Sequence, residues 1–163
     1  MNKILVLTFF MVACLISACK TEKKNEASNV AVPNDLPAMS MTKLDGTSVN
    51  AKALSGKTIL ILFFPDCDHC QREAKAIQEH LEAFKEYNLY FISTMPTPEV
   101  LKFSVDYGLS GKDNIHFATT TVQQVLDNFG PVDAPSVYIY SGEGKRTKSF
   151  NGEVAIEEVL KSI

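Results

Sequence analysis

The chain has 163 residues, of which 45% are hydrophobic and 21% are charged. This composition is typical of an ordinary globular protein, and the length suits one domain. Because the formal net charge is −3 at pH 7, the chain lacks the excess of positive charge that a broad basic face requires, and we expect no nucleic-acid partner.

The first residues, 1–18, predict a secretory signal peptide. Lys3 supplies the positive charge, and the nearly continuous apolar run over 4–16 is short for a transmembrane helix. Residues 15–19 resemble a bacterial lipobox, which implies cleavage before Cys19 and a lipid on that cysteine. An ordinary signal peptide cut nearby is the alternative.

Residues 19–33 are polar, charged and free of aromatic side chains, so we expect a flexible tether on the lipid anchor. The expected location is the bacterial cell envelope, lipid-anchored to a membrane and facing the periplasm. By resemblance, Lys20 after the anchor suits transfer to the outer membrane. Cys67 and Cys70 are then the cysteines of the folded domain, 34–163, in a compartment that permits disulfides.

Strand and helix patterns alternate along this domain. A turn at Asp45-Gly46 precedes a short edge strand near residues 48–50, and a second turn follows at 55–57. The next run, 58–64, is apolar without alternation, which predicts a central strand buried on both faces.

A helix is predicted directly after this strand, with Asp66 as its N-cap. Its apolar stripe turns Cys70 toward the core and leaves Cys67 at the exposed first turn. The stripe consists of Cys70, Ala74, Ile77, Leu81 and Phe84.

The later elements complete an α/β protein with a mixed sheet. Strands are predicted at 89–92, 115–118, 136–140 and 146–150, the last two joined by a hairpin turn. Helices are predicted from about Pro98, over 121–129 and over 153–163. The side chains expected to face inward are Val100, Leu101 and Val105 on the first, Val122, Val125, Leu126 and Phe129 on the second, and Ile156, Val159, Leu160 and Ile163 on the third.

A Cys-x-x-Cys pair between a buried strand and a helix is typical of a reactive dithiol. The N–H groups and the positive end of the helix favour the Cys67 thiolate, so we expect Cys67 to attack a partner disulfide. Cys70 would then displace the partner and close a Cys67–Cys70 disulfide.

Three neighbours are predicted to tune this pair. A cationic His69 would stabilise the thiolate and make the disulfide more oxidising, whereas Asp66 and Asp68 oppose it by like-charge repulsion. The sequence leaves the sign of the sum open. Glu73 borders the apolar stripe, and we hypothesise that it accepts the proton of Cys70. A surface charge on the helix flank is the alternative.

A structural zinc site is the other common reading of Cys-x-x-Cys. Zinc takes about four ligands, usually from two such pairs. The domain contains no second pair, and His80 and His116 stand in no ligand pattern. We therefore expect no metal and no cofactor, with a copper site of the copper-delivery type as a minor alternative.

Several motifs together resemble the TlpA/ResA group of redoxin-like, thioredoxin-fold thiol–disulfide oxidoreductases. They are Leu44-Asp45-Gly46-Thr47, Leu54-Ser55-Gly56-Lys57-Thr58, Cys67-Asp68-His69-Cys70 with Glu73, and Asp133-Ala134-Pro135-Ser136 before a terminal hairpin. The resemblance spans about residues 37–163. Asp66 stands where that group usually has a tryptophan, and Ala74 where a proline often follows the glutamate.

The resemblance implies a thioredoxin-like fold with helices on both faces of the sheet. It also implies a cis Ala134–Pro135 bond, with the backbone of Ala134 pairing to an extended substrate segment. Expected partners are client proteins with thiols or disulfides, for example apocytochrome c, and an unidentified membrane or periplasmic electron donor. Similar lipoproteins are typically reductants.

Two other functions compete with the oxidoreductase. Peroxiredoxins share the fold, but the residue three before Cys67 is Phe64, where a peroxide-binding threonine is expected. A non-catalytic binding module would have no need of both cysteines, which this chain retains.

Overall fold

The structure is a computed structural model and describes residues 34–163. The predicted signal peptide (1–18) and the tether (19–33) that carries Cys19 lie outside the described residues. Within the described part, no helix is long and apolar enough to span a bilayer.

The described residues contain seven strands, four α-helices and two short 3₁₀ helices. The strands are β1 (Ser40–Lys43), β2 (Ser48–Asn50), β3 (Thr58–Leu62), β4 (Asn88–Ser93), β5 (Ile115–Thr119), β6 (Ser136–Tyr140) and β7 (Arg146–Asn151). The α-helices are α1 (Asp68–Glu79), α2 (Thr97–Asp106), α3 (Val122–Phe129) and α4 (Ile156–Leu160), and the 3₁₀ helices are Ala51–Ala53 and Leu81–Phe84.

The strands form one mixed sheet in the order β2-β1-β5-β4-β3-β6-β7. β3, β4 and β5 are parallel, and the other pairings are antiparallel. β3 lies between β4 and β6, and all five of its residues are buried. The prediction of a central strand without alternation is therefore confirmed over 58–62, but the strand ends before Phe63, and Phe64 is exposed.

Two hydrophobic cores lie on opposite faces of the sheet. Ile59 and Ile61 of β3 belong to the first core, together with buried side chains of α1, α2 and α4. Leu60 and Leu62 belong to the second core, against which α3 and the segment around Leu36 pack. Successive side chains of β3 thus point into opposite cores. The predicted helices on both faces of the sheet are confirmed.

Phe63, just after β3, anchors the first core. Its ring lies 4.6 Å from that of Phe103 on α2, 5.7 Å from Phe91 and 6.1 Å from Phe117, measured between centroids. Edge-to-face and tilted pairs of this kind add to the free energy of burial. The contact fixes the strand end from which the Cys-x-x-Cys turn begins.

The predicted inward face of α2 was wrong at two positions. Leu101 is 48% exposed and Val105 60% exposed, whereas Phe103 and Ser104 are buried beside the correctly predicted Val100. Ser104 can be buried because its hydroxyl donates to the Leu101 carbonyl oxygen at 2.7 Å. The rings of Phe63 and Phe103 then set the rotation of the helix.

The inward face of α3 was also half wrong. Val125 and Phe129 pack on the second core as predicted, but Val122 is 59% and Leu126 44% exposed. Phe129 sets the orientation of the helix, because its ring lies 4.4 Å from that of Tyr138 on β6.

The predicted start of α1 at Asp66 was wrong by one residue. Cys67 is the N-cap, because the Cys67 N–H still donates to the Phe64 carbonyl oxygen (3.2 Å) in the turn before the helix. The far end was predicted too late. His80 Nδ1 lies 2.8 Å from the Ala76 carbonyl oxygen, the acceptor that the His80 N–H would take in a continuing α-helix.

Two further elements differ from the predictions. α4 begins at Ile156 instead of residue 153, because Ala155 is extended (φ −61°, ψ 139°) and Glu153 is bound to α1. β1 was not predicted at all. Its register places Met41 opposite Val49 of β2 and Thr42 opposite Thr119 of β5, so pairing outside the segment defines it.

The two faces of α2 give a stability test. Phe103→Ala removes a ring that is 3% exposed, so the free energy of unfolding should fall by about 3–5 kcal/mol. Leu101→Ala, on the exposed face of the same helix, should change it by less than about 1 kcal/mol. Urea unfolding monitored by circular dichroism measures both. Equal losses in the two variants would contradict this placement of α2.

Candidate active site

Cys67 occupies the N-cap of α1, immediately after the turn that follows β3. Its side chain is half-buried, and its thiol donates a hydrogen bond to the Ala134 carbonyl oxygen at 3.7 Å. The first-turn N–H groups of a helix have no acceptor within the helix. A negative charge on Cys67 Sγ would therefore lie at the positive end of α1.

Cys70 lies one turn further along α1, on the side that faces the first core. It is 2% exposed, and burial raises the pKa of its thiol well above the ordinary range, with further contributions from Cys67 and Glu73. Both cysteines are free thiols in this structure. The pair thus combines an accessible sulfur and a buried one, as the helical stripe predicted, while the disulfide form stays a prediction.

The Ala134–Pro135 peptide bond is cis, which confirms the expectation from the family resemblance. β6 starts at the next residue and pairs with β3 so that Ser136 lies opposite Leu62. This pairing brings Ala134 to the carboxyl end of β3, near the start of α1. Asn151 at the end of β7 supports the loop, since its Oδ1 accepts from the Asp133 N–H at 2.9 Å.

Glu73 is 7% exposed, so it is not the surface charge that the alternative reading described. Burial raises the pKa of its carboxyl group to about 8, and the negative charge of Glu153 adds to the shift. The side chain lines a cavity of about 200 Å³ between α1 and the start of α4. Glu73 also contributes to the raised pKa of Cys70, so the two groups interact.

A cluster of three charged or titratable side chains borders the site. The Arg72 guanidinium donates from Nε to Glu153 Oε1 at 2.7 Å and from Nη2 to Glu153 Oε2 at 2.8 Å. His69 Nδ1 contacts the same carboxylate and lies 2.7 Å from Arg72 Nη2. The hydrogen bond from Arg72, followed by that from His69, lowers the pKa of Glu153 to about 2.

The other predicted tuning residues lie in solvent. Asp66 and Asp68 are exposed, in the turn before α1 and in its first turn. His69 is exposed as well, and its ring contacts the Glu153 carboxylate, which would offset the field of a cationic His69 at the sulfurs. The roles of Arg72, Glu153 and Asn151 were not predicted from the sequence. Arg72 and Glu153 are 81 residues apart, and no local pattern links them.

Within residues 34–163, no group of three or more His, Cys, Asp or Glu side chains is placed to hold a metal ion. His80 caps the end of α1, and His116 lies on β5 with its ring 4.6 Å from that of Tyr90. Burial, followed by the charge of Lys43, lowers the pKa of His116. Both histidines therefore have structural surroundings.

Solved structures support the thioredoxin-like fold. DsbF of Mycobacterium tuberculosis, determined in mixed oxidised and reduced forms, superposes with a TM-score of 0.67 at 22% identity, covering 80% of this chain and 96% of that one. A secreted M. tuberculosis disulfide oxidoreductase homologous to E. coli DsbE gives 0.65 at 17%, covering 77% and 93%. A thioredoxin-like protein from Porphyromonas gingivalis gives 0.62 at 24%, covering 78% and 88%.

Comparison with curated protein sequences gives no match. A family model, in contrast, matches residues 32–147, which is most of the chain and includes the strand, the cysteine pair and the cis-proline loop. The chain therefore belongs to the AhpC/TSA family and is a thioredoxin-fold redoxin with a Cys67-x-x-Cys70 pair.

Proposed function

We propose that this protein is a membrane-anchored, extracytoplasmic thiol–disulfide oxidoreductase that reduces disulfides of client proteins. One observation carries the proposal: a half-buried Cys67 lies at the N-cap of α1 and contacts the carbonyl of Ala134, with a buried Cys70 one turn behind it. An accessible sulfur that attacks and a shielded sulfur that resolves is the arrangement that disulfide exchange requires.

The exchange proceeds in two steps. The Cys67 thiolate attacks one sulfur of the client disulfide, forming a mixed disulfide and releasing the other client sulfur as a thiolate, which takes up a proton. Cys70 loses its proton and attacks Cys67 Sγ, which releases the second client sulfur and closes the Cys67–Cys70 disulfide. Two electrons pass to the client, and a membrane or periplasmic thiol donor restores the dithiol.

The backbone beside Pro135 would bind the client. An extended client segment can pair with the Ala134 backbone as an added strand, which holds its disulfide near Cys67 Sγ. Ala134 is half-buried, whereas Pro135 is buried beneath it. Clients are proteins whose cysteines must be kept reduced outside the cytoplasm, and apocytochrome c is one such class.

The proposed acceptor of the Cys70 proton is Glu73, which is supported by its burial and by its interaction with the Cys70 thiol. It accepts only as a carboxylate, and since its pKa is raised to about 8, the fraction able to accept rises with pH through that value. Arg72 and Glu153 line the cavity beside it, and the α4 side of this cavity is apolar, with Ile156 and Val159. The resolving step should therefore accelerate with pH to a plateau above pH 8.

The reducing direction is supported by the charges around the pair. Asp66 and Asp68 lie within the Cys67 turn and the first turn of α1, where their negative charge opposes a thiolate. Destabilising the thiolate of the reduced form makes the dithiol a better electron donor. The extracytoplasmic location is supported by the predicted signal peptide and by the likeness to a secreted disulfide oxidoreductase.

The alternative is a thiol peroxidase, and membership of the AhpC/TSA family is the observation that favours it. The site offers little support, because the residue three before Cys67 is Phe64, which is 40% exposed and has no hydroxyl to bind a peroxide. A direct comparison of substrates separates the two activities.

We expect the purified protein to accelerate the reduction of insulin disulfides by dithiothreitol. Because Cys70 resolves the intermediate, Cys70→Ser should accumulate a mixed disulfide through Cys67, and Cys67→Ser should form none. Turbidity measures the first result and non-reducing electrophoresis the second. Background rates with no trapped species would refute the oxidoreductase, and rapid consumption of hydrogen peroxide instead would establish the peroxidase.

Glu73→Gln should slow the resolving step by about a hundredfold or more at pH 8 and remove the inflection near that pH. Stopped-flow reaction with 5,5′-dithiobis(2-nitrobenzoate) resolves two thiol releases, the first from attack by Cys67 and the second from attack by Cys70. Glu79→Gln, on an exposed position of the same helix, is the control. An unchanged second phase in Glu73→Gln would exclude this proton acceptor.

Cys19→Ser should abolish the lipid anchor. We expect the unmodified chain, expressed in a Gram-negative host, to incorporate labelled palmitate and to sediment with membranes, and the variant to do neither. Cys14→Ser is the matched control, since that cysteine lies inside the predicted signal peptide. Labelling that persists in Cys19→Ser would show that the anchor is wrongly assigned.

A further inference from the structure

The connection between β7 and α4 contributes a carboxylate to the dithiol site. Glu153 is about one third exposed, whereas the side chains of Arg72 and His69 that it binds are 56% and 57% exposed. Both of its oxygens accept from the Arg72 guanidinium in a two-point contact. Such a contact fixes orientation as well as charge.

Arg72 lies two residues after Cys70 and is electrostatically linked to Cys67. The hydrogen bond to Glu153 is the main reason that the pKa of Arg72 is raised, and the charges of Asp68 and Cys67 contribute to it as well. A cation that interacts with Cys67 stabilises its thiolate. In this structure, however, the Arg72 guanidinium is already paired with a carboxylate.

The charge of the Arg72 guanidinium is therefore held in a fixed place and is largely neutralised by Glu153. We propose that Glu153 is a positioning residue of the dithiol site, which binds Arg72 so that its cation stabilises the Cys67 thiolate less and the pair is a stronger reductant. The inference rests on the proposed function, which it deepens by naming a residue that biases the pair toward the reducing direction.

The direction in which Glu153 shifts the dithiol–disulfide equilibrium follows from the balance of the reaction. Reduction of the Cys67–Cys70 disulfide consumes two electrons, and it consumes two protons or, when Cys67 remains a thiolate, one. A free cation beside Cys67 stabilises this product and makes the disulfide easier to reduce. A carboxylate that neutralises the cation acts in the opposite direction, together with the exposed Asp66 and Asp68.

The test is the equilibrium between the protein and dithiothreitol, which loses two electrons and two protons as it closes to a cyclic disulfide. Glu153→Gln frees the charge of Arg72, so the fraction of dithiol at a fixed ratio of buffer species should rise. For contacts this exposed, the equilibrium constant should change about two- to fivefold. Arg72→Gln removes the cation and should shift it in the opposite direction.

Two variants serve as controls. Glu153→Asp keeps the carboxylate and should lie between the unchanged protein and Glu153→Gln. Glu158→Gln removes a glutamate of α4 whose partner is Lys161, at 2.8 Å, and should leave the equilibrium unchanged. Near 1 M salt, where the Debye length is about 3 Å, the effect of Glu153→Gln should shrink. Loosened packing would show neither opposite signs nor this dependence on salt.

An unchanged equilibrium in Glu153→Gln, or equal shifts in the same direction for Glu153→Gln and Arg72→Gln, would overturn the inference. The measurement needs no client protein, so its failure can be told apart from a failure of the proposed function. If the protein reduces insulin but Glu153→Gln leaves the equilibrium with dithiothreitol unchanged, only the positioning role is refuted. A protein that fails with insulin refutes the oxidoreductase, even where Glu153 still shifts the equilibrium.

Discussion

The antiparallel pairing of β3 with β6 is the constraint on which the site depends. Leu62 lies opposite Ser136, so the turn that ends in Cys67 and the loop that carries Ala134 meet the sheet at the same end of these two strands. A slip of one residue would turn every side chain of β3 to the opposite face and exchange its two cores. Burial of β3 on both faces therefore also fixes the distance between the attacking sulfur and the proposed client-binding backbone.

The motifs in the sequence predicted much of this site. The buried run before the cysteines, the helical spacing that reaches Cys70 and the proline before β6 depend on local patterns, and each is reflected in the structure. Elements defined by distant partners were not predicted. β1 exists because two other strands pair with it. The rotation of α2 depends on the contact of Phe103 with Phe63, because the apolar spacing alone also fits a face with Leu101.

Glu153 shows why charge tuning is hard to predict from a motif. The residues inside the Cys-x-x-Cys turn indicate which charges are present, but not which of them are already paired. If α1 were considered alone, Arg72 would count as an unpaired cation beside a nucleophile. Glu153 in the β7–α4 connection pairs with that cation, and Asn151, the last residue of β7, supports the cis-proline loop. Gly152, with φ at 85°, lets the chain turn between these two side chains.

The separation of the two hydrophobic cores has a consequence for engineering. Cys70 and the half-buried Cys67 pack against the first core, while the second core, built around Tyr138 and Tyr140 under α3, contains neither cysteine. Substitutions that improve packing on the α3 side can therefore raise the melting temperature without altering the dielectric surroundings of the sulfurs. The two faces of the sheet thus allow thermal stability and the redox properties of the dithiol to be changed separately.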